Sequence, residues 1–235
     1  MSPFPAAAAA ALLLLASAPR AFAFASAPDP VAGSVVQSRE WIVHRGPHES
    51  EEFKGDVRYH AGPNVMKADW ALYEHGGKLW HLKGHVQARR TLDSGDIITA
   101  EGDKAFYDGV SQKGWLTGQN GVLLSRRPAD GAAPDHAVAE RLDWRGKEEA
   151  ELSGGVHSYG PRLETWSDTA RYLAAGREAI FSGGRPVVRK IFGNWTGALK
   201  ADEIKTFDSP RRMTADGAVV GWIELPGKSE RRRTP

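Results

Sequence analysis

Residues 78–88 alternate between apolar and polar side chains. Trp80, Leu82 and Val86 fall on one face of an extended strand, and Lys83, His85 and Gln87 fall on the other with Leu79 and His81. A period of two predicts a strand with one buried face, and the stretch carries no apolar stripe at helical spacing. The pattern belongs to a longer phrase that recurs. A small residue and a carboxylate come first, then an aromatic, then a polar turn, then an apolar residue followed by Gly and usually Val. The clearest copy has Ala68-Asp69, Tyr73, a turn at 74–78, Leu82, Gly84 and Val86. The next has Ala100-Glu101, Phe106-Tyr107, Leu116, Gly118 and Val122, and the third has Ala139-Glu140, Trp144, Leu152, Gly154 and Val156. The fourth has Ser167-Asp168, Tyr172, Phe181, Gly183 and Val187. A weaker fifth has Ala201-Asp202, Phe207, Met213 and Val219, and a half copy, Phe53, Gly55 and Val57, stands in front.

The marker glycines Gly55, Gly84, Gly118, Gly154 and Gly183 lie 29, 34, 36 and 29 residues apart. Repeats at such periods are stacked supersecondary units, none of which buries its apolar face alone. Each unit reads as two strands around a turn, the turns being His75-Gly76-Gly77, Asp108-Gly109, Arg145-Gly146, Ala175-Gly176 and Ser209-Pro210. Asp-Gly and Gly-Gly between apolar runs are hairpin signals. Before the first of these turns the alternation places Ala68, Trp70 and Leu72 opposite Lys67, Asp69 and Tyr73, with bulges expected there. Residues 128–135, rich in Pro, Ala, Gly and Asp, read as a long hairpin loop. The expected fold class is all-β, from tandem antiparallel repeats.

Residues 6–18 are alanine, leucine and one serine, ended by Arg20. At about 1.5 Å per residue this apolar run is too short for a bilayer core of about 30 Å and fits the core of a signal peptide. Cleavage is expected after Ala23, although residues 1–5 contain no Lys or Arg. The organisation that follows is a signal peptide at 1–23, a flexible mature N-terminus at 24–34, a β-domain at 35–225 and a disordered basic tail at 226–235. An uncleaved membrane tether is the alternative reading of the first segment.

Charge and composition narrow the chemistry. Lys and Arg number 31 against 29 Asp and Glu, a balance that argues against a nucleic-acid partner. Cysteine is absent, which excludes disulfides and thiolate chemistry. His81 and His85 are four apart, a spacing that chelates zinc on a helix but spans about 13 Å on a strand. No metal or other cofactor is expected. The carboxylates Asp69, Glu101, Glu140, Asp168 and Asp202 recur once per unit, so they read as a structural position rather than an acid–base pair, and no enzymatic activity is expected. The eight tryptophans read most simply as core filling.

The recurring phrase resembles the OstA-like family of periplasmic lipopolysaccharide-transport proteins, which includes LptA-like and LptC-like members. Ala68-Asp69 with Tyr73, Leu82-x-Gly84-x-Val86 and their recurrences through Ala201-Asp202 carry the resemblance, over residues 53–225. The resemblance implies a β-jellyroll open along one side, with acyl chains inside and phosphorylated sugars at the opening. It implies lipopolysaccharide, through its lipid A, as cargo. It also implies other transport proteins of the same fold, or further copies of the chain, as partners paired end to end through edge strands, here residues 35–43 and 218–225. Trp80, Leu82, Val86, Leu116, Val122 and Leu124 are the expected lipid-facing interior residues. Arg89, Arg126 and Arg189 are the expected phosphate contacts. The insertion at 128–135 and the weak fifth copy depart from the pattern. An LptC-like tethered subunit and a structural envelope adaptor without lipid are the alternative roles.

Overall fold

A computed structural model describes residues 34–92, 94–146, 148–161, 163–193, 195–208 and 211–224. The expected signal peptide, nearly all of the 24–34 segment and the 226–235 tail lie outside these residues. Sixteen strands form one antiparallel sheet. They are β1 (Ser34–Gln37), β2 (Glu40–His44), β3 (Ser50–Ala61), β4 (Asn64–Glu74), β5 (Leu79–Thr91) and β6 (Ile97–Asp108). Next come β7 (Lys113–Arg127), β8 (Asp135–Arg145), β9 (Glu149–Tyr159), β10 (Leu163–Leu173) and β11 (Glu178–Ser182). The last are β12 (Val187–Phe192), β13 (Trp195–Lys200), β14 (Glu203–Asp208), β15 (Arg211–Asp216) and β16 (Val220–Glu224). Among the described residues there is no helix.

The strands β3 to β10 pair in sequence order, each with the next. Each is interrupted near its middle by a register shift, and the interruptions line up across the sheet: Lys54/Val57, Lys67/Trp70, Lys83/Val86, Glu101/Lys104, Thr117/Val122, Val138/Arg141 and Ser167/Thr169. Towards both ends of the sheet the same corner breaks the strand outright. β1 and β2 lie end to end along β3, and β11 and β12 lie end to end along β10. β13 then follows β12 and β14 follows β11, after which β16 and β15 close the far edge. The molecule is thus twelve bent passes, and the line of corners divides the sheet into two leaves. Leaf A holds β1, β12, β13, β16 and the adjoining halves of β3 to β10. Leaf B holds β2, β11, β14, β15 and the other halves.

The repeated phrase codes for these corners. Gly55-Asp56, Gly84-His85, Gly154-Gly155, Gly183-Gly184 and Gly217-Ala218 all have positive φ, a region that glycine enters at little cost. Glycine is also required for space. A Cβ on Gly84 would strike Asp69, one on Gly154 would strike Glu140, and one on Gly217 would strike Asp202. The recurring carboxylate is therefore the side chain packed over the next pass's glycine. In the second unit this position belongs to Asp103, which accepts the Gln119 N–H, and not to Glu101. The bulge there, residues 118–121, is also longer than its counterparts.

Each phrase is two strand halves around a turn, as expected, and it begins at the corner of one long strand and ends at the corner of the next. The face assignments before the first turn need correction. The bulge at 68–69 reverses the alternation, so Ala68 shares the buried face with Ala71 and Tyr73 while Trp70 and Leu72 turn outward.

Both leaves bury one face, and the buried residues form a single core. Tyr59 in leaf A meets Trp80 in leaf B with ring centroids 5.9 Å apart, so the leaves face each other across that core. Along the corner, Val57, Val86, Val122 and Val156 alternate with Ala68, Gly102, Ala139 and the small Ser167. Large side chains on one pass fill the space over small ones on the next, as close packing demands.

Candidate functional site

The inner faces of the leaves enclose the one interior that the fold creates among the described residues. In leaf B the innermost row runs across Ala71, Leu82, Ala105, Leu116, Leu142, Leu152, Ala170, Phe181 and Ile204. The row beyond it, at the rim, carries Tyr73, Trp80, Tyr107, Trp144 and Tyr172 among small residues. The Trp144 ring lies over Gly114, where a Cβ would collide with it. Burial pushes the Tyr107 hydroxyl pKa up to about 12.

Leaf A is lined differently. Its inner row reads Tyr59, Met66, Ala88, Ala100, Leu124, Ala137, Ser158, Thr165 and Val188. The Ser158 and Thr165 hydroxyls bond each other at 2.5 Å inside this row. The rim row beyond holds Asn64, Arg90, Ile98, Arg126 and Asp135, and further along it Leu163 and Lys190. Arg90 is 5% exposed and Lys190 8%. Lys190 Nζ stands 4.6 Å from the Phe192 ring centre, and burial lowers its pKa.

Trp80, Leu82, Val86, Leu116, Val122 and Leu124 all point into the interior and are buried. The three arginines expected to contact phosphate are not brought together. Arg89 and Arg189 lie on the outer face of leaf A, where Arg189 approaches Glu164 at 3.5 Å. Arg126 points inward, but its Nε and Nη2 donate to Asp96 Oδ2 at 3.0 and 2.6 Å. Asp96 also accepts the Ala129 N–H and so anchors the 128–134 loop. Burial pushes the Asp96 pKa up, but these donors outweigh it and hold the carboxyl below its ordinary value.

Sequence reasoning missed Arg90 and Lys190 as inner residues. Their even spacing from Val86 and Val188, with no bulge between, was the available signal. The tryptophans depart from core filling. Trp80 is buried and Trp144 packs on the core, while Trp70, Trp115 and Trp166 face outward and Trp41 and Trp222 stand exposed on the edge strands. Among the described residues no group of three or more His, Asp or Glu side chains is placed to hold a metal ion. Outside, near the corners of β5 to β7, lies a shallow cleft of about 370 Å³ bordered by His85, Glu101, Asp103 and Asn120.

The inner face is not covered everywhere. At the β1/β2 edge, Trp41 continues the Phe53 row and is 63% exposed, with Val43 beside it. At the β15/β16 edge, Met213 and Ile223 continue the inner rows and are exposed too. No protein-family model matches the chain, and no curated protein sequence matches it.

Proposed function

We propose that the chain is an exported, non-catalytic carrier of amphiphiles, of the OstA-like lipopolysaccharide-transport type. Acyl chains shelter between the leaves, with lipid A as the cargo and the periplasm as the setting. One observation carries this reading: a continuous apolar inner face crosses the sheet and emerges uncovered at both edges. An exposed apolar sheet edge invites pairing, and selection blunts such edges unless they are used. Twelve passes make the last one antiparallel to the first pass of a second copy. A copy, or a partner of the same fold, added at the edge therefore extends both the sheet and its inner face.

A second reading has its own support. Between the edges the inner face is filled by the protein's own side chains, from Val57 to Ile204, which suits an envelope adaptor that uses only its edges. A tethered LptC-like subunit differs only at the N-terminus, and N-terminal sequencing of the mature protein separates it from a free carrier. Mass spectrometry of the gently purified mature protein separates carrier from adaptor. The carrier arrives with bound amphiphile or takes up lipid A on incubation. Absence of lipid under both conditions leaves the adaptor.

A further inference from the structure

The corner of β7 departs from the pattern of the others. In β3, β5 and β9 the marker glycine and the residue after it suffice to turn the strand. In β7 the four residues 118–121 stand between Thr117 and Val122. Gly118 is pressed against the Gly121 carbonyl, and Gly121 against the Ala139 carbonyl, each closer than a Cβ allows. The folded backbone leaves Gln119 and Asn120 exposed at its tip. A bulge re-aims side chains and is frequent beside binding sites. Here it borders the outer cleft of about 370 Å³. Hydrogen bonds aim the polar groups of that cleft. Gln87 Nε2 donates to Glu101 at 2.8 Å, Asp103 accepts the Gln119 N–H, and His85 Nδ1 meets Asp69 Oδ2 at 2.7 Å. From Glu101 the outer row of leaf A runs across Leu123 and Val138 to His157 and Trp166. The Trp166 ring, 36% exposed, stacks on His157 with centroids 5.1 Å apart and planes 8° apart. Four strand spacings separate Glu101 from Trp166, about 19 Å at about 4.8 Å each.

We propose that this strip of the outer face binds a neutral, extended hexose oligosaccharide. Glu101, Asp103 and Asn120 take the hydroxyls of a sugar seated in the cleft, and Leu123, Val138 and Trp166 meet the C–H faces of the rings that follow. A pyranose has hydroxyl donors around its rim and apolar faces above and below. Planar carboxylate and amide groups match the rim, and aliphatic and aromatic surface matches the faces. The two carboxylates repel an anionic sugar. A straight row across the strands suits an extended chain. The site lies on the opposite side of the sheet from the acyl shelter proposed above and is independent of it.

The test titrates three trisaccharides into the purified full-length protein by calorimetry: cellotriose, its N-acetylated counterpart triacetylchitotriose, and trigalacturonate. At least one of the two neutral trimers is expected to bind with a Kd on the order of 1 mM or tighter, and trigalacturonate about fivefold or more weakly. Asn120→Ala and Trp166→Ala each weaken the neutral trimer about fivefold or more, while Trp41→Ala, at the distant exposed edge, leaves it unchanged. Comparison of the two neutral trimers reads which substituent the cleft accepts beside the hydroxyls. Failure of both neutral trimers to bind overturns the proposal. So does trigalacturonate binding as tightly as they do, or an affinity that survives both substitutions. If Trp166→Ala does not fold, Asn120→Ala still decides, because its side chain stands at an exposed bulge tip. None of these outcomes bears on lipid uptake, so the carrier reading stands or falls separately.

Discussion

Leaf A and leaf B are built from the same passes and bend at the same corners, yet they are lined by different side chains. Leaf B presents Leu82, Leu116, Leu142, Leu152 and Phe181 backed by a belt of aromatic rings. Leaf A presents alanines, a buried hydroxyl pair and a charged rim. Aromatic and branched side chains bury the most apolar surface, so leaf B holds most of the stabilising burial. Small and polar inner residues contribute less to stability and leave leaf A the better candidate for yielding to a guest. A repeat phrase can thus fix where a chain bends without fixing what each half of it does.

The comparison can be broken by mutation. The largest effect is expected from Phe181→Ala in leaf B, where a fully buried ring is lost, at a cost of about 3–5 kcal/mol in chemical denaturation. Next comes the corner. Gly84→Ala forces a side chain into φ +74 against Asp69, costing about 1–3 kcal/mol from the backbone alone with the collision added. Asp69→Ala in the same chain should recover only part of the collision, because its Cβ stays 2.8 Å from the new one, and none of the backbone part.

In leaf A, Ser158→Ala leaves the buried Thr165 hydroxyl without its present partner and should cost about 1–3 kcal/mol. The double change Ser158→Ala with Thr165→Val should cost clearly less, because both polar groups leave together. A double change as costly as the single one would show that leaf A depends on shape rather than on satisfied polarity.

The smallest effect is at the surface. The hydrogen bond to Asp69 raises the His85 pKa above its ordinary value. The pair therefore adds stability below the unfolded pKa of about 6.5 and loses it as pH rises through the folded value. Because both groups are exposed, the difference between wild type and His85→Asn should be slight at about pH 5 and vanish at about pH 8. Denaturation midpoints at the two pH values check the sign.

Much of this arrangement was legible in the residues. Period-two alternation around Trp80, Leu82 and Val86 specified strands and their buried face, and Asp108-Gly109 marked a hairpin. The corners were visible as Gly-x-Val but not interpretable, because a bulge is known only from its partner strand. That is why Tyr73 and Trp70 were placed on the wrong faces and why Glu101 stood in for Asp103. The phosphate candidates failed for a related reason. Adjacent arginines such as Arg89 and Arg90 point to opposite faces, and only the register shows that Arg90 is the inner one.

The central claim is that hydrocarbon lies on the inner face and nowhere else. Photo-crosslinking with lipid A tests it most directly, using p-benzoylphenylalanine in place of inward-facing Trp41 or Met213 and, as the comparison, outward-facing Trp115 or Trp166. The account predicts lipid adducts, read by intact mass, at Trp41 and Met213 and none at Trp115 or Trp166. Adducts at the outward positions in equal yield, or at no position, would contradict it.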